Sequence, residues 1–491
     1  MKTNRLVKCV LLVTAAVFVL TAIGCRAPKE AGIPITTSSD EALTLYKQGR
    51  DLSDKLRTYE SIQYYEKSIA KDPNFARAYL ELASAHSSAG NSKGFWENFN
   101  KAVALVDKVS EGERLLILGL QAGVNDNPTE QKELYLQLVK TYSKDKRAYY
   151  NLGLYYFIQR EYALAIEENK KAIEIDPDFA PPYNELGYAY SYLGNYPEAE
   201  KVLKKYTGLI PDEPNPYDSW AEILMKQGKF DESIEIYQKA LSLKSDFFSA
   251  YVGIGMNLVF KGKSDEGRKQ FQKFYDIAPT DGQRLQALFW IMTSYIDEGK
   301  FDKALKELQK GYAIAEKNKD IPGMAGGLGT MGDILLETGK LDEARAKYLK
   351  AVEIFEKSDR SKEIKDDAKQ GLLFNEARIA LKKEDLATAK SKSEEYRKQA
   401  EAGHNPLEIQ SYHQLAGMIA LQEKRFDDAL KELQQANQRN PRNLYRMAQA
   451  YEGKGDKENA KEMWTKAANF NERNYSYAFI RNKAKKKLAE M

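Results

Sequence analysis

From about residue 41 the order of apolar, small and polar positions repeats itself along this chain. Asn151-Leu152-Gly153-Leu154-Tyr155-Tyr156 leads to Ala165-Ile166 and then to Ala172-Ile173-Glu174-Ile175-Asp176-Pro177. About 34 residues on, the pattern returns as Glu185-Leu186-Gly187-Tyr188-Ala189-Tyr190, with Ala199 and Pro211 in step. About 68 residues beyond that, Gly255, Phe271 and Pro279 hold the same places. Each repeat predicts two antiparallel helices. The first helix carries a small residue at its crossing point in nearly every unit: Gly49, Ala83, Gly119, Gly153, Gly187, Ala221, Gly255, Gly332, Ala377, Gly417 and Ala448, with Met292 the larger exception. Ser61, Ala165, Ala199, Ser233, Gly267, Ala304, Ala344, Ala389, Ala429 and Ala460 match them on the second helix. Helices approach to about 8 Å only where side chains are small, so the placement has a packing cause. Gly90, Gly194, Gly228, Gly262, Gly299, Gly339 and Gly455 mark the turns between helices, where a left-handed C-cap is expected.

This joint pattern resembles the tetratricopeptide repeat. The resemblance implies an all-α, right-handed α-solenoid of about twelve helical hairpins with a C-terminal capping helix. Units beginning near residues 42, 76, 112, 146, 180, 214 and 248 are shorter than those beginning near 285, 325, 370 and 410. Two subarrays are therefore expected, 41–282 and 283–474, followed by the capping helix 475–491. In that helix Tyr477, Phe479 and Ile480 should point inward, with Lys483, Lys485, Lys486 and Lys487 in solvent. The units near 112–145 and 370–409 depart most from the pattern and are expected to be distorted.

The N-terminus follows other rules. Lys2, Arg5 and Lys8 precede an apolar run from Cys9 to Leu20. A bilayer crossing takes roughly 20 residues, so this run suits a signal-peptide core better than a stable anchor. It closes on Leu20-Thr21-Ala22-Ile23-Gly24-Cys25, which resembles the bacterial lipobox. The resemblance implies cleavage after residue 24 and acylation of Cys25, and several acyl chains hold a protein firmly to a membrane. Arg26, where an Asp would favour inner-membrane retention, points to the periplasmic side of the outer membrane in a Gram-negative cell. Residues 25–40 include Pro28, Gly32 and Pro34 and read as the lipidated cysteine and a flexible tether.

Charge narrows the partners. Removing residues 1–24 takes away three of the 75 basic residues and leaves 72 against 71 acidic ones. Such a balance gives no steering toward nucleic acid. No cysteine follows Cys25, so the repeats hold neither a disulfide nor a thiolate metal site. His86, His404 and His413 share no ligand spacing. Gly262-Lys263-Ser264 imitates the end of a phosphate-binding loop, but Asn257 stands where the leading glycine is needed, so no nucleotide is expected. The glycine-rich stretch Gly323–Gly329 opens a helix and reads as close packing, a hinge or a small inner pocket.

What remains is a binding face. The resemblance places the first helix of each unit on the concave side, where Tyr150, Leu154, Phe157, Tyr188, Asp218, Glu222, Met225, Val252, Met256, Val259 and Phe289 would meet a protein or peptide partner. The Lys/Asn clamp by which some relatives hold a C-terminal carboxylate is absent, since Tyr150, Asn184, Asp218 and Val252 fill its leading position. The expected function is a lipid-anchored interaction scaffold of the cell envelope with no cofactor, metal or catalytic centre. A regulatory sensor, or a glycan-processing subunit or enzyme, are the alternatives.

Overall fold

The computed structural model describes residues 32–491 apart from Asp126 and His404. Cys25 and the signal segment lie outside the described residues. Among these, 25 α-helices and two short 3-10 turns account for the regular structure, and the first 24 helices pair into twelve hairpins. The α-solenoid expected from the repeats is the fold observed.

The chain divides into two compact units, one ending at Ile210 and the other spanning Pro211–Met491. The first holds five hairpins: α1 (Asp40–Asp54) with α2 (Thr58–Lys71), α3 (Ala76–Ser88) with α4 (Ser92–Ala104), α5 (Glu111–Val124) with α6 (Pro128–Thr141), α7 (Lys146–Ile158) with α8 (Tyr162–Ile175), and α9 (Pro181–Tyr192) with α10 (Tyr196–Leu209). The second holds seven: α11 (Pro214–Lys226) with α12 (Phe230–Leu243), α13 (Phe248–Phe260) with α14 (Ser264–Ile277), α15 (Asp281–Asp297) with α16 (Phe301–Lys317), α17 (Ile321–Glu337) with α18 (Leu341–Glu356), α19 (Lys362–Lys382) with α20 (Leu386–Gly403), α21 (Pro406–Gln422) with α22 (Phe426–Gln435), and α23 (Pro441–Lys454) with α24 (Lys457–Ala468). A 3-10 turn, Tyr475–Phe479, and α25 (Arg481–Glu490) follow.

The crossing residues behave as their size requires. A Cβ added to Gly255 would sit 2.2 Å from the Phe271 ring, and one on Gly187 would sit 2.5 Å from Leu203. All seven turn glycines adopt φ between +71° and +80°. Arg160, Glu384 and Lys424 take the same left-handed conformation in hairpins that lack the glycine. The two units expected to be distorted form ordinary hairpins, α5 with α6 and α19 with α20. Their departures from the repeat pattern are absorbed by side chains, since Gly119 still meets Tyr135 and Ala377 is still fully buried.

The division near residue 283 is not where the compact units part. Helices do lengthen there, from 14 residues in α14 to 17 in α15 and α16. Residues on both sides belong to the unit Pro211–Met491, and the C-terminal segment contacts hairpins on each side of residue 283.

The flexible tether is also corrected in its described part, residues 32–39. This segment lies along the loops that join successive hairpins. The Ile33 amide donates to Asp145 Oδ2 (2.8 Å), the Thr36 amide to Glu113 Oε1 (3.0 Å), and the Ser38 amide to Asp72 Oδ2 (2.9 Å). Ser110, the N-cap of α5, donates through Oγ to Pro34 O (2.9 Å). Carboxylates thus satisfy the backbone donors of an extended segment that has no neighbouring strand. Burial acts to raise the pKa of Asp72, but hydrogen bonds from Thr37, Ser38 and Asn74 outweigh it and hold the carboxyl below its ordinary value. The contribution of this lowered group is complete above about pH 4 and is lost as pH falls through the lower folded value. The Ser38 amide should therefore be protected from exchange at neutral pH, with a protection factor that falls in strong acid. Asp72→Ala combined with Glu113→Ala should remove the protection of the Ser38 and Thr36 amides at neutral pH and open residues 32–39 to proteolysis.

Candidate protein-interaction faces

In the first unit charged side chains of the first helices are paired between and within helices. Arg147 on α7 pairs with Asp54 on α1 at 2.5 Å, and Arg77 pairs with Glu81 on α3 at 2.9 Å. Tyr46 is fully buried beside them. Farther along, α7 and α9 present a cluster of rings that stays half-exposed. Phe157 lies 5.7 Å from Tyr162 and 6.1 Å from Tyr192, and Tyr188 lies 6.2 Å from Tyr192. Leu154 and Tyr150 are half-buried on the same helix as Phe157. Tyr150 packs edge-to-face on Phe179 at 5.5 Å, and its hydroxyl points at Glu185 Oε1, 3.5 Å away. Burial pushes the Glu185 carboxyl up to about 7, and the Tyr150 contact offsets only part of that.

In the second unit the face expected to receive a partner is already filled. Met225, Val252, Met256 and Val259 are at most 3% exposed, and Asp218 is buried. The cover is the chain's own C-terminal segment. Tyr477 is fully buried, with its ring 5.0 Å from Phe260 and its hydroxyl 3.9 Å from Met256 Sδ. Arg473 donates to Asp218 Oδ1 (2.9 Å), Tyr237 Oη (2.7 Å) and Ser249 Oγ (2.7 Å), and its Nε lies 4.0 Å from Glu222. Tyr475 stands edge-on to Phe289 and donates to Asp333 Oδ2 at 2.9 Å. Arg481 donates to the Phe260 carbonyl at 2.9 Å. The segment does more than cap the last hairpin, although α25 does pack on α24. Asp218, Glu222, Met225, Val252, Met256 and Val259 thus serve an internal contact in this structure. The expectation that they face solvent in the free protein is corrected, because an apolar face of this size is covered by the nearest complementary segment.

The other sequence candidates have structural places. His86 hydrogen-bonds Asn91 at 3.3 Å and His413 pairs with Glu432 at 2.7 Å, while His404 lies outside the described residues. No group of three metal-type side chains occurs among the described residues. Gly262 is the inter-helix turn. The stretch Gly323–Gly329 lies within α17 and borders an apolar cavity of 260 Å³ lined in part by Leu288, Phe289 and Tyr312. Sequence reasoning missed Arg378, Arg442 and Arg446, which gather beside the returning segment. The spacing of Arg442 and Arg446 was the available signal, since like charges four apart on a helix repel unless something calls for both.

Comparison with known families agrees with the hairpin geometry. Models described as "Tetratricopeptide repeat" match residues 147–179, 169–201, 325–358 and 441–474, and one described as "TPR repeat" matches 221–256. The chain is a tetratricopeptide-repeat protein. No curated protein matches it as a relative. Among solved structures, the tetratricopeptide array is similar to a crystal structure of MamA protein, with 25% identity over 33% of this chain and 89% of that one and a TM-score of 0.30. It is also similar to MamA 41-end from Desulfovibrio magneticus RS-1, with 16% identity over 33% of this chain and 92% of that one and a TM-score of 0.31. Tetratricopeptide hairpins of this kind serve as protein-interaction scaffolds, which is the general role the repeats give this chain.

Proposed function

We propose that this protein is a lipid-anchored scaffold of the bacterial cell envelope that holds a protein partner against the ring cluster of α7 and α9. The observation that carries this reading is the half-exposure of Leu154, Phe157, Tyr188 and Tyr192, while the corresponding faces of later hairpins are covered by the chain itself. Aromatic side chains offer large contact area at low entropy cost, and the surface suits an apolar helix or extended segment. Anchoring rests on the basic head, the short apolar run and Cys25. No helix among the described residues is long and apolar enough to cross a membrane.

A photo-reactive residue placed at Leu154 or Tyr188 in living cells should yield one discrete cross-linked adduct, and the same probe at the exposed Lys273 should not. Phe157→Ala with Tyr188→Ala should weaken capture of that adduct's partner by about tenfold or more, the usual loss at a hot spot. An adduct pattern identical at all three positions would remove this face as the site. Labelled palmitate should enter the wild-type chain and not Cys25→Ala. Incorporation into both would exclude Cys25 as the anchor.

A further inference from the structure

The returning C-terminal segment fills the groove of the second unit but leaves a cavity beside it. The cavity measures 480 Å³ and lies among α17, α19, α21, α23 and residues 479–483. Its size is that of a small-ligand site. Leu336, Leu381, Met418, Leu421 and Phe479 supply an apolar wall, and Arg378, Arg442, Arg446, Lys382 and Lys483 supply five cations.

The cations lack matching carboxylates. Lys483 pairs with Glu337. Arg378 binds Asp333 at 2.7 Å, and Arg442 reaches the same carboxylate only at 4.0 Å. Arg442 Nε is buried without a hydrogen-bond partner, and its guanidinium lies 4.1 Å over the Phe479 ring. Arg446 has a single described hydrogen bond, from Nη1 to Asn443 Oδ1 at 2.9 Å. Burial, then the neighbouring charges of Arg442 and Arg378, pull its pKa down to about 9, an unusual value for a guanidinium. Two carboxylates, Asp333 and Glu337, thus stand against five cations. A buried cation without an anion is costly, so its retention calls for something that neutralises it.

We propose that this cavity binds a small free organic acid, a carboxylate carried on an aliphatic or aromatic body. The carboxylate sits between Arg446 and Arg442, where a planar guanidinium offers paired donors. The body lies on Leu381, Met418 and Leu421, with Lys382 and the exposed Gln449 at the mouth. A free acid fits better than a peptide, because the path an extended chain would follow along the first helices is occupied by residues 473–481. The site stands independently of the ring cluster on α7 and α9.

Titration calorimetry on the full chain with decanoate and with 4-phenylbutyrate should give one-to-one binding and raise the thermal midpoint. Inorganic phosphate should bind far more weakly. Arg446→Met should lower affinity for both acids by about tenfold or more, the loss expected for a hydrogen bond between charged groups. The same change should leave the ligand-free midpoint equal or higher, since it removes a half-buried cation facing two others. This separates lost binding from lost folding. Lys382→Glu at the exposed mouth should weaken binding without changing the fold. Three results would overturn the proposal: no heat with either acid, phosphate binding as tightly as the acids, or unchanged affinity in Arg446→Met. Tighter binding of a peptide with an apolar C-terminus, abolished by amidating its carboxylate, would replace the free acid by a protein end.

Discussion

Replacing Tyr477 by alanine is expected to destabilise the second unit by about 3–5 kcal/mol, the range for deleting a large buried ring. The side chain is fully buried against Phe260 and Met256, and the segment around it packs on α15 and α23. In a plain repeat array such damage stays near the mutated hairpin, since each unit touches only its neighbours. Here one ring helps hold α13, α15 and α23 to a common segment. Urea unfolding of Tyr477→Ala should show the loss, and hydrogen exchange should accelerate in those three helices together. Amides of α3 to α8 should keep their wild-type rates. A loss confined to α24 and α25 would show that the segment is only a cap.

Asp333→Ala should cost a similar amount, about 3–5 kcal/mol, because it strands two buried cations. Asp333 Oδ1 accepts from Arg378 (2.7 Å) and Tyr348 (2.9 Å), and Oδ2 accepts from Tyr475 (2.9 Å). Burial acts to raise the pKa of this carboxyl, but the charges of Arg378 and Arg442 and the hydrogen bonds from Arg378 and Tyr348 outweigh it and hold the group far below the usual range. The contribution of a lowered carboxyl is complete above its unfolded value of about 3.9 and fades as pH drops through the folded one. The stability gap between wild type and Asp333→Ala should therefore stay constant from about pH 8 to about pH 5 and close only in acid. Asp333→Asn keeps an acceptor for Tyr348 and should lose less. Denaturant midpoints across that pH range would check both statements, and a gap that widened in acid would contradict the assigned charge state.

Much of the fold was legible because the repeat is a local device. Gly187 against Leu203, Gly255 against Phe271 and the left-handed turn at Gly194 each involve residues less than one repeat apart. Small residues at the crossing and glycine at the turn leave few alternatives, so position along the chain was enough. The first-helix residues Met225, Val252, Met256 and Val259, expected to face a partner, are instead buried in one apolar cluster. Their occupant was not legible. Tyr477, Phe479 and Ile480 were seen as inward-facing, but against which surface depended on where the preceding loop carried them.

The sequence by itself determined twelve hairpins, their turns and the faces they bury, because those contacts are made between neighbours and are written into each repeat. Only the tertiary structure decided that residues 32–39 lie along the inter-hairpin loops, that residues 473–483 close the groove of the second unit, and that Arg378, Arg442 and Arg446 share a cavity. The contact between Tyr477 and Met256 joins residues 221 apart, and the one between Ile33 and Asp145 joins residues 112 apart. Partners at such separations share no repeat and no period. They are chosen by shape and charge after the hairpins have formed, when an apolar face or an unpaired amide takes whichever part of the chain can satisfy it.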